Sequence, residues 1–193
     1  ANKSAGADAI RASDATPRIV ESGLPPLCAF HFYEPIPMRY WLMKSEPTEC
    51  SIDDVLAMPR QSVAWYGIRN YQSRNFMRDQ MRVGDKVFFY HSNCAKPGIV
   101  GLAEVTRPAY PDETQFDSQS KYFDPKSTSE NPRWLNVDVR ITQKIRLVGL
   151  PELRAQPELV RMRILQRGNR LSITPLDPAE WHFIYEKLLG LPA

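Results

Sequence analysis

Val83–Thr106 reads VGDKVFFYHSNCAKPGIVGLAEVT, and this stretch decides the fold. Val83-Gly-Asp-Lys is a turn, Val87-Phe-Phe-Tyr-His is a run of strand formers, Lys96-Pro-Gly is a second turn, and Ile99–Thr106 is another apolar, β-branched run. Two such runs joined by a short polar connection predict a β-hairpin over 87–106. Upstream, Tyr40–Lys44 (YWLMK) is apolar without alternation, as expected of a strand buried on both faces. Downstream, Trp134–Leu147 (WLNVDVRITQKIRL) alternates Leu135, Val137, Val139 and Ile141, then Ile145 and Leu147, which predicts a long strand with one face inward.

Helices are the smaller part of the pattern. Ser51 is an N-cap candidate with Asp53 and Asp54 in the first turn, and Pro59 ends that helix. Asn70–Met81 has loosely helical spacing. Residues 107–132 hold four prolines and predict a long ordered loop or lid. Short helical turns follow at 152–155 and 157–160, then a small strand at 171–174. Asp177 and Pro178 open a last helix with Trp181, Ile184, Tyr185 and Leu188 on one stripe. Strands that outnumber helices, without a βαβ rhythm, point to an α+β domain: a small mixed barrel flanked by short helices.

Composition narrows the class. The 193 residues carry 25 Lys and Arg against 22 Asp and Glu, and 42% of them are hydrophobic, as in a globular chain. The 17 prolines exceed the usual share of about 5%, which favours short elements with stiff connections. No apolar run approaches the ~18 residues of a membrane span. Cys28, Cys50 and Cys94 include no C-x-x-C pair, and the three histidines are scattered. No metal or cofactor is expected, and a reducing cytoplasm fits the cysteine usage. Residues 1–37 are polar and then proline-broken, so an irregular extension is expected ahead of a domain over 38–193, with 24–37 an extended strip.

Phosphate-loop, dinucleotide, HExxH and GxSxG motifs are all missing. His91 and Cys94 are the one pair that hints at nucleophilic chemistry, with no orienting acid in view. Two other runs suit a planar ligand. Trp65–Tyr71 (WYGIRNY) clusters a Trp, two Tyr, an Arg and an Asn around a Gly, and Lys44-Ser45-Glu46-Pro47 sets polar groups directly after a buried strand. Aromatic faces stack on a ring while amide and charged groups read its edge. Residues 133–170 hold nine basic side chains against three acidic ones, a surplus suited to phosphate contacts.

YWLMKSEP, WYGIRNYQSRNFMRD, VGDKVFFYHSNCAKPGIVGLAEV, YPDETQFDSQSKYFDPKS and NPRWLNVDVR together closely resemble the EVE domain family, from about Arg39 to Leu189. The resemblance implies a PUA-like bent, partly closed β-barrel with short helices, kinship with YTH domains, and a non-catalytic reader of modified bases in DNA or RNA. The family includes bacterial proteins of unknown role. By motif, the resemblance makes Trp65 and Trp134 the stacking walls. It makes Lys44, Ser45, Arg69, Asn70, Tyr71, His91, Ser92 and Asn93 the lining, and Tyr122 a residue that closes the pocket. Arg133, Arg161, Arg163, Arg167 and Arg170 are then the expected contacts to a nucleic-acid backbone. Two other functions compete: a base- or nucleotide-processing hydrolase using His91 and Cys94, and a binder of a free small molecule such as a nucleoside.

Overall fold

The computed structural model describes residues 37–192, so the extension expected over 1–37 lies outside the described residues apart from Pro37. Six strands form one mixed sheet in the order β2-β5-β4-β3-β1-β6. They are β1 (Tyr40–Ser45), β2 (Ser62–Ala64), β3 (Lys86–His91), β4 (Gly98–Pro111), β5 (Leu135–Gly149) and β6 (Ile173–Leu176). The helices are short: α1 (Ile52–Ala57), α2 (Tyr71–Asn75), α3 (Leu150–Arg154) and α4 (Pro178–His182). α2 and α4 each run on into a wider, π-helical turn, Phe76–Gln80 and Phe183–Leu188. The result is the expected α+β fold. Its two edge strands, β2 and β6, do not pair with each other among the described residues, so the sheet is open at the level of hydrogen bonding rather than a closed barrel.

β1 and β3 explain why their sequences are continuously apolar. They lie side by side and parallel, Trp41 beside Val87 and Met43 beside Phe89. The pleat sends those four side chains to one face and Leu42, Phe88 and Tyr90 to the other. Each face has its own core. The first gathers Trp41, Met43, Val87 and Phe89 with Ile52 and Val55 of α1, Phe76, Met77 and β5's Val137 and Val139. The second joins Leu42 and Phe88 to Leu153, Leu159, Met162, Trp181 and Ile184. Trp181 stacks on Phe88 with ring centroids 4.0 Å apart. Gly101 lets α1 approach the sheet, because a Cβ there would stand 2.2 Å from Ile52 Cδ1.

The predicted hairpin is β3–β4, antiparallel and adjacent in the sheet. Three features depart from the sequence pattern. β2 is only three residues long and sits on β5 opposite Asp138–Arg140, too short to show a period. β4 continues to Pro111, through the segment expected to be loop. Its register against β5 shifts three times after Leu102, and such irregularities accommodate Pro108 and Pro111 in a ladder. The last strand is 173–176 rather than 171–174. The helix starts are as expected: Ser51 and Asp54 cap each other reciprocally, and Asp177 N–H donates to Glu180. Among the described residues no helix is long and apolar enough to cross a membrane.

One buried carboxylate ties the start of β1 to the turn before β3. Asp85 is 4% exposed and accepts from Trp41 Nε1 at 2.9 Å, Arg82 N at 2.9 Å and Arg39 N at 3.2 Å. Asp85→Ala orphans donors that have no other partner. Each such group costs about 1–3 kcal/mol, so urea denaturation should register a loss of at least ~2 kcal/mol. A loss below ~0.5 kcal/mol would show that water replaces the carboxylate.

Candidate functional site

A cavity of about 340 Å³ opens where β1 and β3 end together, a size within the usual range of small-molecule sites. β1 and the turn after it supply Lys44, Ser45, Glu46, Glu49 and Cys50. β2 and the loop after it supply Val63, Ala64, Trp65, Tyr66, Gly67, Ile68 and Arg69, and Ser92, Tyr122, Arg170 and Ser172 complete the wall.

An ion pair inside the protein sets the shape of this cavity. Asp112, 2% exposed, accepts from Gly67 N at 2.9 Å, Thr114 N at 2.9 Å, Thr114 Oγ1 at 2.6 Å and Arg69 Nη1 at 2.8 Å. Arg69 spends its other donors on Tyr122 O, Thr114 Oγ1 and Ile68 O. The Trp65–Arg69 loop is thereby fastened to the 112–124 connection. Gly67, at φ +79, allows Tyr122 to lie against the backbone, since a Cβ there would be 2.6 Å from the ring. Tyr122 Oη then donates to Glu49 Oε2 at 2.8 Å, and Lys121 pairs with the same carboxylate. The tyrosine thus spans from one wall of the cavity to the other.

Burial tunes the charges. It pushes Lys44 below the usual lysine range and the Cys50 thiol up. Burial, then Tyr66 and Glu46, raise the Tyr122 phenol. Burial alone would raise Asp112, yet the donors from Thr114, Arg69 and Gly67 outweigh it and hold the carboxyl below the usual aspartate range.

Of the eleven expected ligand-binding residues, Lys44, Ser45, Trp65, Arg69, Ser92 and Tyr122 line this cavity. The other five do not. Asn70 caps α2 by accepting from Ser73 N at 3.1 Å. His91 Nε2 accepts from Ile52 N at 3.1 Å, so that nitrogen serves the start of α1. Asn93 donates to Glu46. Tyr71 lies on Trp134, with centroids 4.9 Å apart.

The expected second stacking wall, Trp134, sits elsewhere in this structure. It is not among the residues lining the cavity, and its Nε1 donates to Asp124 Oδ2 at 2.7 Å. The reason is Gln115, fully buried, which holds both the N–H and the C=O of Trp134 through its side-chain amide. The aromatic rings at the cavity are therefore Trp65, Tyr66 and Tyr122, with Trp65 set edge-on against Phe89 at 5.2 Å. Tyr66, Glu46 and Glu49 also line the cavity, the first two within runs that the sequence marks as suited to a planar ligand. Only the three-dimensional turn after β1 brings the two glutamates to the site.

Arg133 is likewise engaged in the fold, with Asp124 at 3.1 Å and with Tyr71 Oη. Arg163, Arg167 and Arg170 line a second groove of about 500 Å³ with Gln72, Gln166 and Asn169. Arg170 belongs to both hollows, so the basic groove lies next to the cavity. Arg161 is exposed but lines neither. Among the described residues no group of three or more His, Cys, Asp or Glu could hold a metal ion.

Comparison with known proteins agrees with this architecture. The EVE domain family matches residues 39–187, and the chain belongs to that family. Human thymocyte nuclear protein 1 is 41% identical over 162 residues, covering 75% of this chain and 72% of that protein. A crystal structure of a Pseudomonas putida protein has 47% identity and a TM-score of 0.72, covering 75% of this chain and 96% of that one. Human THYN1 in complex with 5-methylcytosine containing DNA has 41% identity and a TM-score of 0.71, covering 76% and 95%.

Replacing Arg69 by Met should cost about 3 kcal/mol in urea denaturation at pH 7, the lower end for a broken buried pair because Asp112 keeps three other donors. Asp112 is depressed in the folded state, so its contribution is present above the ordinary carboxylate value and lost as pH falls below it. The gap between wild type and variant should therefore narrow below pH ~4. A gap constant from pH 7 to 3 would contradict the pairing.

Proposed function

We propose that this EVE-domain protein is a non-catalytic reader that takes a modified base of DNA or RNA into the cavity beside Trp65. The reading rests on adjacency: an aromatic cavity lies beside a groove of arginines, with Arg170 common to both. Aromatic walls suit a ring, and the groove suits the phosphates on either side of it. The relative crystallised with 5-methylcytosine containing DNA supports a methylated cytosine as the base.

The energetics require both parts. Extruding a base costs a few kcal/mol, and stacking returns about 1–3 kcal/mol. The cavity alone is close to break-even, and contacts from Arg163, Arg167 and Arg170 supply the remainder. A 5-methyl group adds apolar contact with Trp65, Val63 or Ile68, side chains that already line the cavity.

The test is titration of single-stranded oligonucleotides bearing one 5-methylcytosine or one cytosine, across a salt series. Binding should favour the methylated strand, and its logarithm should fall by about 0.7 per phosphate contact per log unit of salt. Joint replacement of Arg163 and Arg167 by Ala should flatten that slope and leave the methyl preference unchanged. Trp65→Ala should weaken binding by about 1–3 kcal/mol, with Trp65→Phe milder. Trp134→Ala should lower the melting temperature without changing the affinity of the folded fraction. Binding of the free nucleoside as tight as the oligonucleotide, or product formation from it, would overturn the reading.

A further inference from the structure

The cavity has one carboxylate with an oxygen to spare. Glu46 follows β1, and its backbone carbonyl accepts from Glu49 N and Cys50 N, making the turn that leaves its side chain on the cavity wall. Its Oε2 accepts from Asn93 Nδ2 at 3.0 Å. Asn93 stands in the turn between β3 and β4 at φ +50, a left-handed conformation that asparagine tolerates better than most residues. Among the described residues, nothing else donates to the Glu46 carboxylate, and no cation comes within 4.0 Å of it. Glu49 differs, since Tyr122 and Lys121 both engage it. Lys44 shares the cavity but pairs with neither glutamate.

An ionised carboxylate only accepts hydrogen bonds, and an ammonium only donates them. A ligand that satisfies both must present a donor to Glu46 and an acceptor to Lys44. The edge of cytosine does this, with a 4-amino group that donates and N3 and O2 that accept. Thymine fits worse. Its one ring N–H lies between two carbonyl oxygens, and those oxygens repel the carboxylate.

We propose that Glu46, oriented by Asn93, is the residue that restricts the cavity to amino-bearing bases and rejects their keto counterparts. The proposal rests on the reader assignment above and assigns the part of the site that reads the ring edge.

The test compares single-stranded oligonucleotides that differ only in carrying 5-methylcytosine or thymine at one position. The two bases share the methyl group and the ring, so stacking and apolar contact are matched. Wild-type protein should favour 5-methylcytosine by about tenfold or more, the discrimination expected of a base-edge contact. Glu46→Gln keeps the shape but offers a donor as well as an acceptor, and should reduce the ratio to about threefold or less with an unchanged melting temperature. Asn93→Ala should give an intermediate ratio, because the carboxylate keeps its charge and loses its anchor.

Equal wild-type affinity for 5-methylcytosine and thymine, with cytosine weaker than both, would overturn the role of Glu46 and leave the reader assignment standing. A wild-type preference that Glu46→Gln does not reduce would place the discrimination elsewhere and overturn it as well. Failure of every oligonucleotide to bind would overturn the reader assignment and this inference with it.

Discussion

A single buried carboxylate, Asp112, fastens together the two segments that wall the cavity. Taking its charge out of water is costly, and the cost is offset only because Gly67, Thr114 and Arg69 all donate to it. Those donors come from two loops far apart in sequence. Satisfying one carboxylate therefore forces the Trp65–Arg69 loop and the 112–124 connection together, and Trp65, Tyr66 and Tyr122 become neighbours around one space. Arg69 looks at first like a ligand-reading residue, yet its guanidinium is consumed in holding these walls. The polar groups left to meet a ligand are those around Lys44 and Glu46.

The sheet sets the floor on which this happens. Parallel pairing of β1 and β3 brings Ser45 and His91 level at one end of the sheet, and polar residues begin on both chains just beyond. Upstream of that line both faces are sealed by apolar cores. The cavity thus marks the transition from a strand pair that must be dry to loops that need not be. Asp85 performs at the opposite end of the same strands what Asp112 performs at the cavity, gathering donors that would otherwise be stranded.

What the sequence made legible follows from how local each signal is. The runs 40–44 and 87–91 are continuous apolar stretches because both their faces are covered, and the caps at Ser51 and Asp177 are settled within four residues. β2 is too short, at three residues, to display a period, and the end of β4 reads as loop because its prolines conceal an irregular pairing. For Trp134 the motif alone implies a place at the cavity. Its placement in the structure depends on the amide of Gln115, nineteen residues away in sequence, which no neighbouring pattern encodes. Glu46 stands in a run that the sequence marks as polar, but its own part depends on Asn93, across the sheet end, which orients it.

The functional reading combines a cavity that suits a flat ring, a groove that suits phosphates, and a shared arginine that joins them. The arrangement divides labour. The groove supplies affinity that is indifferent to sequence, and the cavity supplies selection. The most direct measurement is a crystal structure of the protein with a short oligonucleotide carrying one 5-methylcytosine. The methylated ring is expected inside the cavity, against Trp65, with its amino group facing Glu46 and the flanking phosphates along Arg163–Arg170. A complex in which that base remains stacked on its neighbours, or in which the strand lies on another face and the cavity holds no base, would contradict it.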